Sequence, residues 1–174
     1  MRQTAIVLII AFLALSLPQA ALCEADGGIT IEITSMAAST AENGGDGAKR
    51  EVDVDPRLAG LRRKLQSLFA YSHYSFLGRT RATAKIGEVC VTRLPERFTL
   101  EVEPQAPREG QELIEMTVAL IHDTPAVRPK PGDRRAEREI VLRTRIRLEN
   151  GGTVLLGGPP TASGVLILAL SARR

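Results

Sequence analysis

RTRIRLENGGTVLLGGPPTASGVLILAL, at residues 143–170, is the stretch of sequence that decides the fold. Its first residues alternate between arginine and other side chains with a period of two, which is typical of a half-buried strand. Gly151-Gly152 and the segment Gly157–Gly164 are turn signals, and Thr153–Leu156 between them predicts a short strand. Val165–Leu170 is a continuous apolar run, as expected of a strand covered on both faces. The stretch therefore predicts three consecutive strands.

Alternation of the same kind continues upstream. A strand is predicted in each of six segments: Gly28–Met36, Tyr74–Ala84, Glu88–Leu94, Arg97–Glu103, Glu112–His122 and Glu139–Glu149. Because the links between successive segments are mostly short, we expect antiparallel pairing. The alternation also predicts the side chains that face the core: Phe98, Leu100, Val102, Ile114, Met116, Val118, Leu120, Ile140, Leu142, Ile146 and Leu148.

One helix is expected after the first strand. Asp55 is a suitable N-cap, and Pro56 at the first helical position loses no hydrogen bond. An apolar stripe then recurs at helical spacing: Leu58, Leu61, Leu65 and Leu68, with Phe69 beside them. The basic cluster at 62–64 lies largely away from this stripe, as expected of a solvated face. The fold class is therefore α+β, with one amphipathic helix (55–70) packed on a mostly antiparallel β-sheet or small sandwich.

The first 25 residues predict a secretory signal peptide. Ala5–Leu17 is an uninterrupted apolar run, and Pro18 ends it. A spanning helix needs about 20 apolar residues, so an uncleaved membrane anchor is the less favoured alternative. A lipid anchor at Cys23 is also disfavoured because Leu22, directly before it, is not small. We divide the remainder into an N-terminal strand with a flexible, polar, glycine-rich loop (26–54) and a β-rich domain that contains the helix (55–174).

Composition excludes several classes of protein. Aromatic residues are only 3%, which is few for a platform that stacks bases, and we expect no nucleic-acid partner. The two cysteines exclude a disulfide-rich scaffold, and Cys90, between two valines, is expected to be a small buried side chain. The net charge of +3 is mild and favours no particular polyanion.

No arrangement of residues predicts a reaction centre. The two histidines, His73 and His122, lie far apart in the sequence and make no metal-binding signature. A serine–histidine–aspartate set can be assembled on paper from Ser72 or Ser75, either histidine and Asp123, but no nucleophile motif frames either serine. The sequence has no phosphate-binding or dinucleotide-binding glycine motif. We therefore expect a non-enzymatic protein with no cofactor, no metal and no identifiable small-molecule substrate.

Three arginines are the strongest polar feature of the chain. Arg143, Arg145 and Arg147 are two residues apart, so on a strand they project to the same face. One interpretation is structural, with cross-strand ion pairs to glutamates on neighbouring strands: Glu101, Glu103 and Glu115. The other is functional, with the three arginines forming a docking stripe for an acidic partner.

The chain from residue 98 to 172 resembles the strand pattern of the C-terminal domain of bacterial secretins, the channel proteins of type II and type III secretion and of type IV pili. Four pieces carry the resemblance: FTLEVEPQ (98–105), ELIEMTVALI (112–121), RTRIRLENGGTVLLGG (143–158), which is similar to paired strands around a glycine turn, and VLILALSARR (165–174). Only PPTASG follows the second glycine pair, where secretins have a longer segment. The lip hairpins and the tandem ring-building domains are also missing, so a complete channel subunit is not expected.

Three functional hypotheses follow from these features. The first is an exported bacterial envelope protein, periplasmic or associated with the outer membrane, that acts through protein–protein contacts or as a homo-oligomer. In this reading it is related to secretins or is an accessory of a secretion or pilus assembly. The alternative is a periplasmic binding module for an anionic envelope polymer or a lipid headgroup, with peripheral membrane contact. The third is a hydrolase that uses His73 or His122.

Overall fold

The computed structural model describes residues 28–40, 52–106, 112–124 and 137–174. The predicted signal peptide and Cys23 lie outside these residues, as do most of the glycine-rich loop and the proline-rich link between the strands that end at Thr124 and begin at Glu137. Within them, the chain forms nine strands: β1 (Ile29–Ser39), β2 (Asp53–Val54), β3 (His73–Ala84), β4 (Cys90–Arg93), β5 (Phe98–Pro104), β6 (Ile114–Thr124), β7 (Glu137–Leu148), β8 (Thr153–Thr161) and β9 (Gly164–Arg173).

The strands build two sheets. Sheet A has five strands in the order β2-β3-β1-β9-β8, and sheet B has four in the order β4-β5-β6-β7. Every described pair is antiparallel except β2 with β3, which is parallel. The fold is thus mostly β, and antiparallel pairing of neighbours agrees with the short links in the sequence.

The two sheets share one apolar core, which makes the molecule a sandwich. The largest cluster of buried side chains joins alternate residues of β1 and β9 in sheet A to alternate residues of β5, β6 and β7 in sheet B. Most of the inward-facing set predicted from the sequence lies in it, with Leu100, Met116, Val118 and Leu120 fully buried. Burial of each such side chain contributes roughly 1.5–3 kcal/mol, so this layer dominates the stability of the fold.

A short helical segment covers part of the outer face of sheet A. A 3₁₀ turn (Pro56–Leu61) leads into α1 (Arg62–Leu68), and the Asp55 side chain accepts a hydrogen bond from the backbone N–H of Arg57, as predicted for an N-cap. Leu58 and Leu65 pack with a second cluster of apolar residues on β1, β3 and β9: Met36, Ala38, Tyr74, Ile167 and Ala169. Sheet A is therefore the middle layer of three, between the helix and sheet B.

The position of β9 between the helix and sheet B explains why its sequence is continuously apolar. Its odd-numbered Ile167 and Ala169 face the helix, and its even-numbered leucines face sheet B. All five residues from Leu166 to Leu170 are at most 4% exposed. The prediction of a strand covered on both faces is confirmed.

Two predictions about individual residues were wrong. Leu68 is 64% exposed rather than packed on the sheet, because the helix ends there and Phe69 is already extended. Ile140 is 52% exposed rather than inward, because the register of β6 with β7 shifts between Leu120 and Ile121. Val141 is the extra residue of that bulge, and a bulge of one residue reverses the faces of the residues beyond it.

The region Gly157–Gly164, predicted as a turn, is largely strand. Strand β8 continues to Thr161 through a bulge between Gly157 and Pro160, and only Ala162 and Ser163 form the turn to β9. Prolines are tolerated here because β8 is an outer strand, where a missing N–H costs no ladder hydrogen bond.

The turn at Gly151-Gly152 does not join paired strands. Strand β7 before it belongs to sheet B, and β8 after it belongs to sheet A. Gly151 has a φ of +78°, and its N–H donates to the carbonyl oxygen of Ala172 on β9. This turn therefore carries the chain from one sheet to the other.

Candidate functional site

The outward face of sheet B is the first candidate site. No described helix or strand covers it, whereas α1 covers part of the corresponding face of sheet A. Across this face, the acidic side chains of β5 and β6 lie beside the row of arginines on β7. The three arginines, hereafter the arginine row (Arg143, Arg145 and Arg147), are all exposed, as the alternation predicted.

Glu115 of β6 holds two members of the arginine row. It lies directly opposite Arg147 in the register, and its carboxylate is 3.2 Å from Nε of Arg147 and 3.5 Å from Nη1 of Arg145. Only 9% of the Glu115 side chain is exposed, so one largely buried carboxylate faces two cations. The predicted cross-strand pairing is confirmed for Glu115.

Arg143 differs from its two neighbours. It lies opposite Ala119 in the register, so no carboxylate is directly across from it. Glu101 pairs instead with Arg138, at 3.0 Å, and among the described residues neither Arg143 nor Glu103 makes an ion pair. Arg143 borders a shallow depression lined also by both of these glutamates and by Val89, Thr117 and Ala119. Within the described part of the chain, the row therefore combines two partly neutralised cations with one cation that has no ion-pair partner.

Strand β7 is also an outer strand of sheet B, and no described strand pairs with its far edge. The stretch from Leu142 to Leu148, after the bulge, is paired with β6 without interruption. An outer strand of this kind presents a row of unpaired backbone N–H and C=O groups. The arginine row and this open backbone edge belong to the same seven residues.

The second candidate is a cavity at one end of the sandwich, hereafter the end cavity, of about 640 Å³. It opens between sheet B and the end of β8, and its wall combines apolar and charged side chains: Glu96, Arg97, Phe98, His122, Glu139, Val141, Pro159, Pro160, Thr161 and Ala162. The rings of Phe98 and His122 stack within it, with centroids 4.7 Å apart. This volume lies in the range of pockets that hold small organic molecules.

The residues of the serine–histidine–aspartate set considered from the sequence lie on different sheets. His73 begins β3 in sheet A, where its Nδ1 is 2.8 Å from a carboxylate oxygen of Asp53 and both side chains are well exposed. His122 lies near the end of β6 in sheet B, stacked on Phe98. Asp123 accepts a hydrogen bond from Thr99 and pairs with Arg138, while Ser75 donates to the carbonyl oxygen of Ala37. The structure does not bring these residues together as one site.

Sequence reasoning missed the end cavity completely. Its lining comes from the β4–β5 turn, the beginnings of β5 and β7, the end of β6, and the β8–β9 hairpin. No motif marks such a site, because its members are distant in sequence and the two bulges leave no signature in composition. The only available signal was Pro159-Pro160 within an otherwise strand-forming run.

Three further observations bear on the chemistry of the described residues. They contain no group of three or more histidine, cysteine, aspartate or glutamate side chains placed to hold a metal ion. Cys90 is a free thiol, partly buried against the main core. In the described part of the chain, no helix is long and apolar enough to span a membrane.

Comparison of the chain with protein-family models, with curated proteins and with solved structures finds no match.

Proposed function

We propose that the protein is an exported, non-enzymatic protein of the bacterial envelope that acts through protein–protein contacts, and that its contact surface is the open edge of β7. The sequence of residues 1–25, which predicts a signal peptide, supports export. The contact surface rests on a single observation: a long outer strand carries the outward arginine row, and Arg143 among its members has no ion-pair partner in the described residues.

The other outer strands are poor docking edges. Strand β2 has two residues and β4 has four, which is too short for a stable ladder. Strand β8 contains Pro159 and Pro160 and a bulge, and proline lacks the N–H that a ladder needs. Proteins use short strands, prolines and bulges to prevent unwanted pairing at sheet edges. Strand β7 has one bulge, at Val141, and beyond it a regular stretch remains.

The charge of this edge selects its partner. Two copies of β7 paired with each other would bring arginines from both copies onto one face, and like charges opposite one another destabilise a sheet. A strand with acidic side chains at alternate positions would instead meet each arginine with a carboxylate. The arginine row therefore disfavours self-pairing and favours an acidic segment of another protein.

We accordingly propose β-strand addition as the mode of contact. An extended partner segment would hydrogen-bond to the backbone of residues 142–148. Its acidic side chains would lie beside the arginine row, and its alternate apolar side chains would extend the core layer beside Leu142, Ile146 and Leu148. The partner is thus an alternating acidic and apolar strand. The secretin-like strand pattern suggests that this partner belongs to a secretion or pilus assembly.

A peptide of alternating glutamate and valine, labelled with a fluorophore, tests this proposal by fluorescence polarisation. We expect saturable binding that weakens with added salt, because the pairs are exposed to solvent. Arg143→Glu should weaken binding by roughly fivefold, the upper range for one cross-strand charge pair. Arg63→Glu, in the exposed basic cluster of α1, changes the net charge equally and should leave the affinity unchanged.

Two control peptides separate strand addition from simple charge attraction. A lysine–valine peptide should not bind. A glutamate–proline peptide keeps the charge but lacks alternate backbone N–H groups, and it should bind far more weakly. Equal binding of the glutamate–proline peptide, or of vesicles of anionic lipid, would contradict strand addition and would favour the alternative function, a binding module for anionic polymers or headgroups. Mass spectrometry of the exported protein tests the leader independently.

A further inference from the structure

We infer that the end cavity is a binding site for a small apolar molecule that carries an ammonium group. This site is separate from the β7 edge, and it does not depend on the contact proposed there. Three local departures from regular structure converge on the cavity, and the charges at its rim indicate the class of ligand.

The first departure is in the turn between β4 and β5. Glu96 and Arg97 have φ values of +57° and +64°, and the N–H of Phe98 donates to the carbonyl oxygen of Pro95. Two successive residues in this conformation form the type of tight turn that normally takes asparagine and glycine. Side chains larger than glycine are strained there, and such strain is concentrated at functional sites. Both side chains line the cavity.

The other two departures are the bulges of β7 and β8. Val141 is the extra residue of the first and lines the cavity instead of continuing the alternation. The second bulge lies between Gly157 and Pro160 and contains Pro159, which also lines the cavity. Bulges commonly redirect a side chain next to a functional site. Bulges on outer strands of two different sheets therefore lie beside the same cavity.

The lining indicates an apolar or aromatic body for the ligand. Phe98 and His122 provide stacked rings, and Val141, Pro159 and Pro160 complete an apolar wall. Phe98 is only 4% exposed, so its ring supports the floor of the cavity rather than projecting into solvent. A flat ring or a short aliphatic chain would replace water against these surfaces.

The rim selects the charge of the ligand. Two carboxylates, Glu96 and Glu139, and one guanidinium, Arg97, line the opening, and among the described residues none of the three makes an ion pair. Ser163 in the β8–β9 turn donates a hydrogen bond to Glu96, which ties the strained turn to sheet A. With one more carboxylate than guanidinium, the rim favours a cation over an anion.

Three small molecules with the same ring test the inference: phenethylamine, phenethyl alcohol and 3-phenylpropionate. We would titrate each into the ¹⁵N-labelled full chain and follow the backbone amide signals. The amine should give saturable shifts at the lining residues, the alcohol should bind roughly threefold more weakly, as expected for loss of one solvent-exposed charge pair, and the carboxylate should bind most weakly.

Two variants complete the test. Glu139→Gln should reduce the affinity for the amine to that for the alcohol and leave the alcohol unaffected, while Glu149→Gln, in the exposed turn after β7, should change neither. Val141→Phe adds bulk to the apolar wall and should weaken binding of all three molecules, with unchanged amide signals in sheet A showing that it folds. Equal binding of the carboxylate and the amine, or shifts that do not saturate or lie outside the lining residues, would overturn the inference.

Discussion

The outer faces of the two sheets are built from the same kind of alternating strands, yet one face is partly covered and the other is open to solvent. In sheet A, the residues that face outward from β9 are covered by a helix, and Ile167 is fully buried. In sheet B, the outward residues of β7 remain exposed, and one largely buried carboxylate, that of Glu115, pairs with two members of the arginine row. The helix buries apolar side chains on one face, and the other face leaves charged side chains and backbone groups exposed.

The sharpest test of this difference replaces one isoleucine on each face with alanine. Ile167→Ala removes packing beneath the helix and should cost about 3 kcal/mol, the middle of the range for buried aliphatic side chains. Ile140→Ala removes a side chain that is 52% exposed and should change stability by less than about 0.5 kcal/mol. Urea unfolding measures both. A similar cost for the two variants would mean that something covers the outer face of sheet B.

Much of this architecture could be predicted from the sequence. The period-two segments predicted the inward residues of β5 and β6, the continuous apolar run predicted burial of β9 on both faces, and Asp55-Pro56 predicted the beginning of the helical segment. These features are set by local composition and by which side of an element meets the core. Such signals can be read without knowing the tertiary structure.

Most of what the sequence did not predict depends on local irregularities and on strand register. A bulge adds one residue without changing composition, so the alternation of β7 could not reveal that Val141 reverses the face of Ile140. The end cavity depends on that bulge, on a second one in β8, and on the turn at Glu96 and Arg97. Likewise, the sharing of Glu115 by two arginines depends on the register of β6 with β7, which sequence alone does not fix.

The organisation of the arginine row is tested by Glu115→Gln. The substitution keeps the size of the side chain but removes the charge that faces Arg145 and Arg147, and it should cost about 1.5 kcal/mol, the lower range for hydrogen bonds to charged groups. Added salt should restore part of the loss because it screens the repulsion between the two arginines. Glu103→Gln is the matched control, since Glu103 makes no ion pair among the described residues. Equal stability of the two variants would show that Glu115 does not hold the row.

On the closed face, Tyr74→Phe tests the polar contact beneath the helix. The buried Tyr74 hydroxyl lies 3.3 Å from the carbonyl oxygen of Phe69 and 3.4 Å from that of Leu65, and its loss should cost about 1 kcal/mol. Burial raises the pKa of Tyr74 above its ordinary value of 10.0, so the folded state favours the neutral hydroxyl. This stabilisation is complete below pH 10.0 and is lost as the pH rises through the folded pKa. The difference in urea midpoint between the wild type and the variant should therefore be smaller at strongly alkaline pH than at neutral pH. A difference that stays constant with pH would contradict this.

The smallest effect on stability should come from Arg143→Glu, although this is the substitution with the largest consequence for the proposed contact. Arg143 is exposed and has no ion-pair partner among the described residues, so reversing its charge should change the free energy of unfolding by less than about 0.5 kcal/mol. Arg147→Glu is the matched comparison. It places a second carboxylate opposite the largely buried Glu115 and should destabilise the protein measurably. If Arg143→Glu unfolds at the wild-type urea concentration but no longer binds the glutamate–valine peptide, then Arg143 serves contact rather than folding. If both reversals destabilise equally, the whole row is structural, and the open face of sheet B has no free cation to offer a partner.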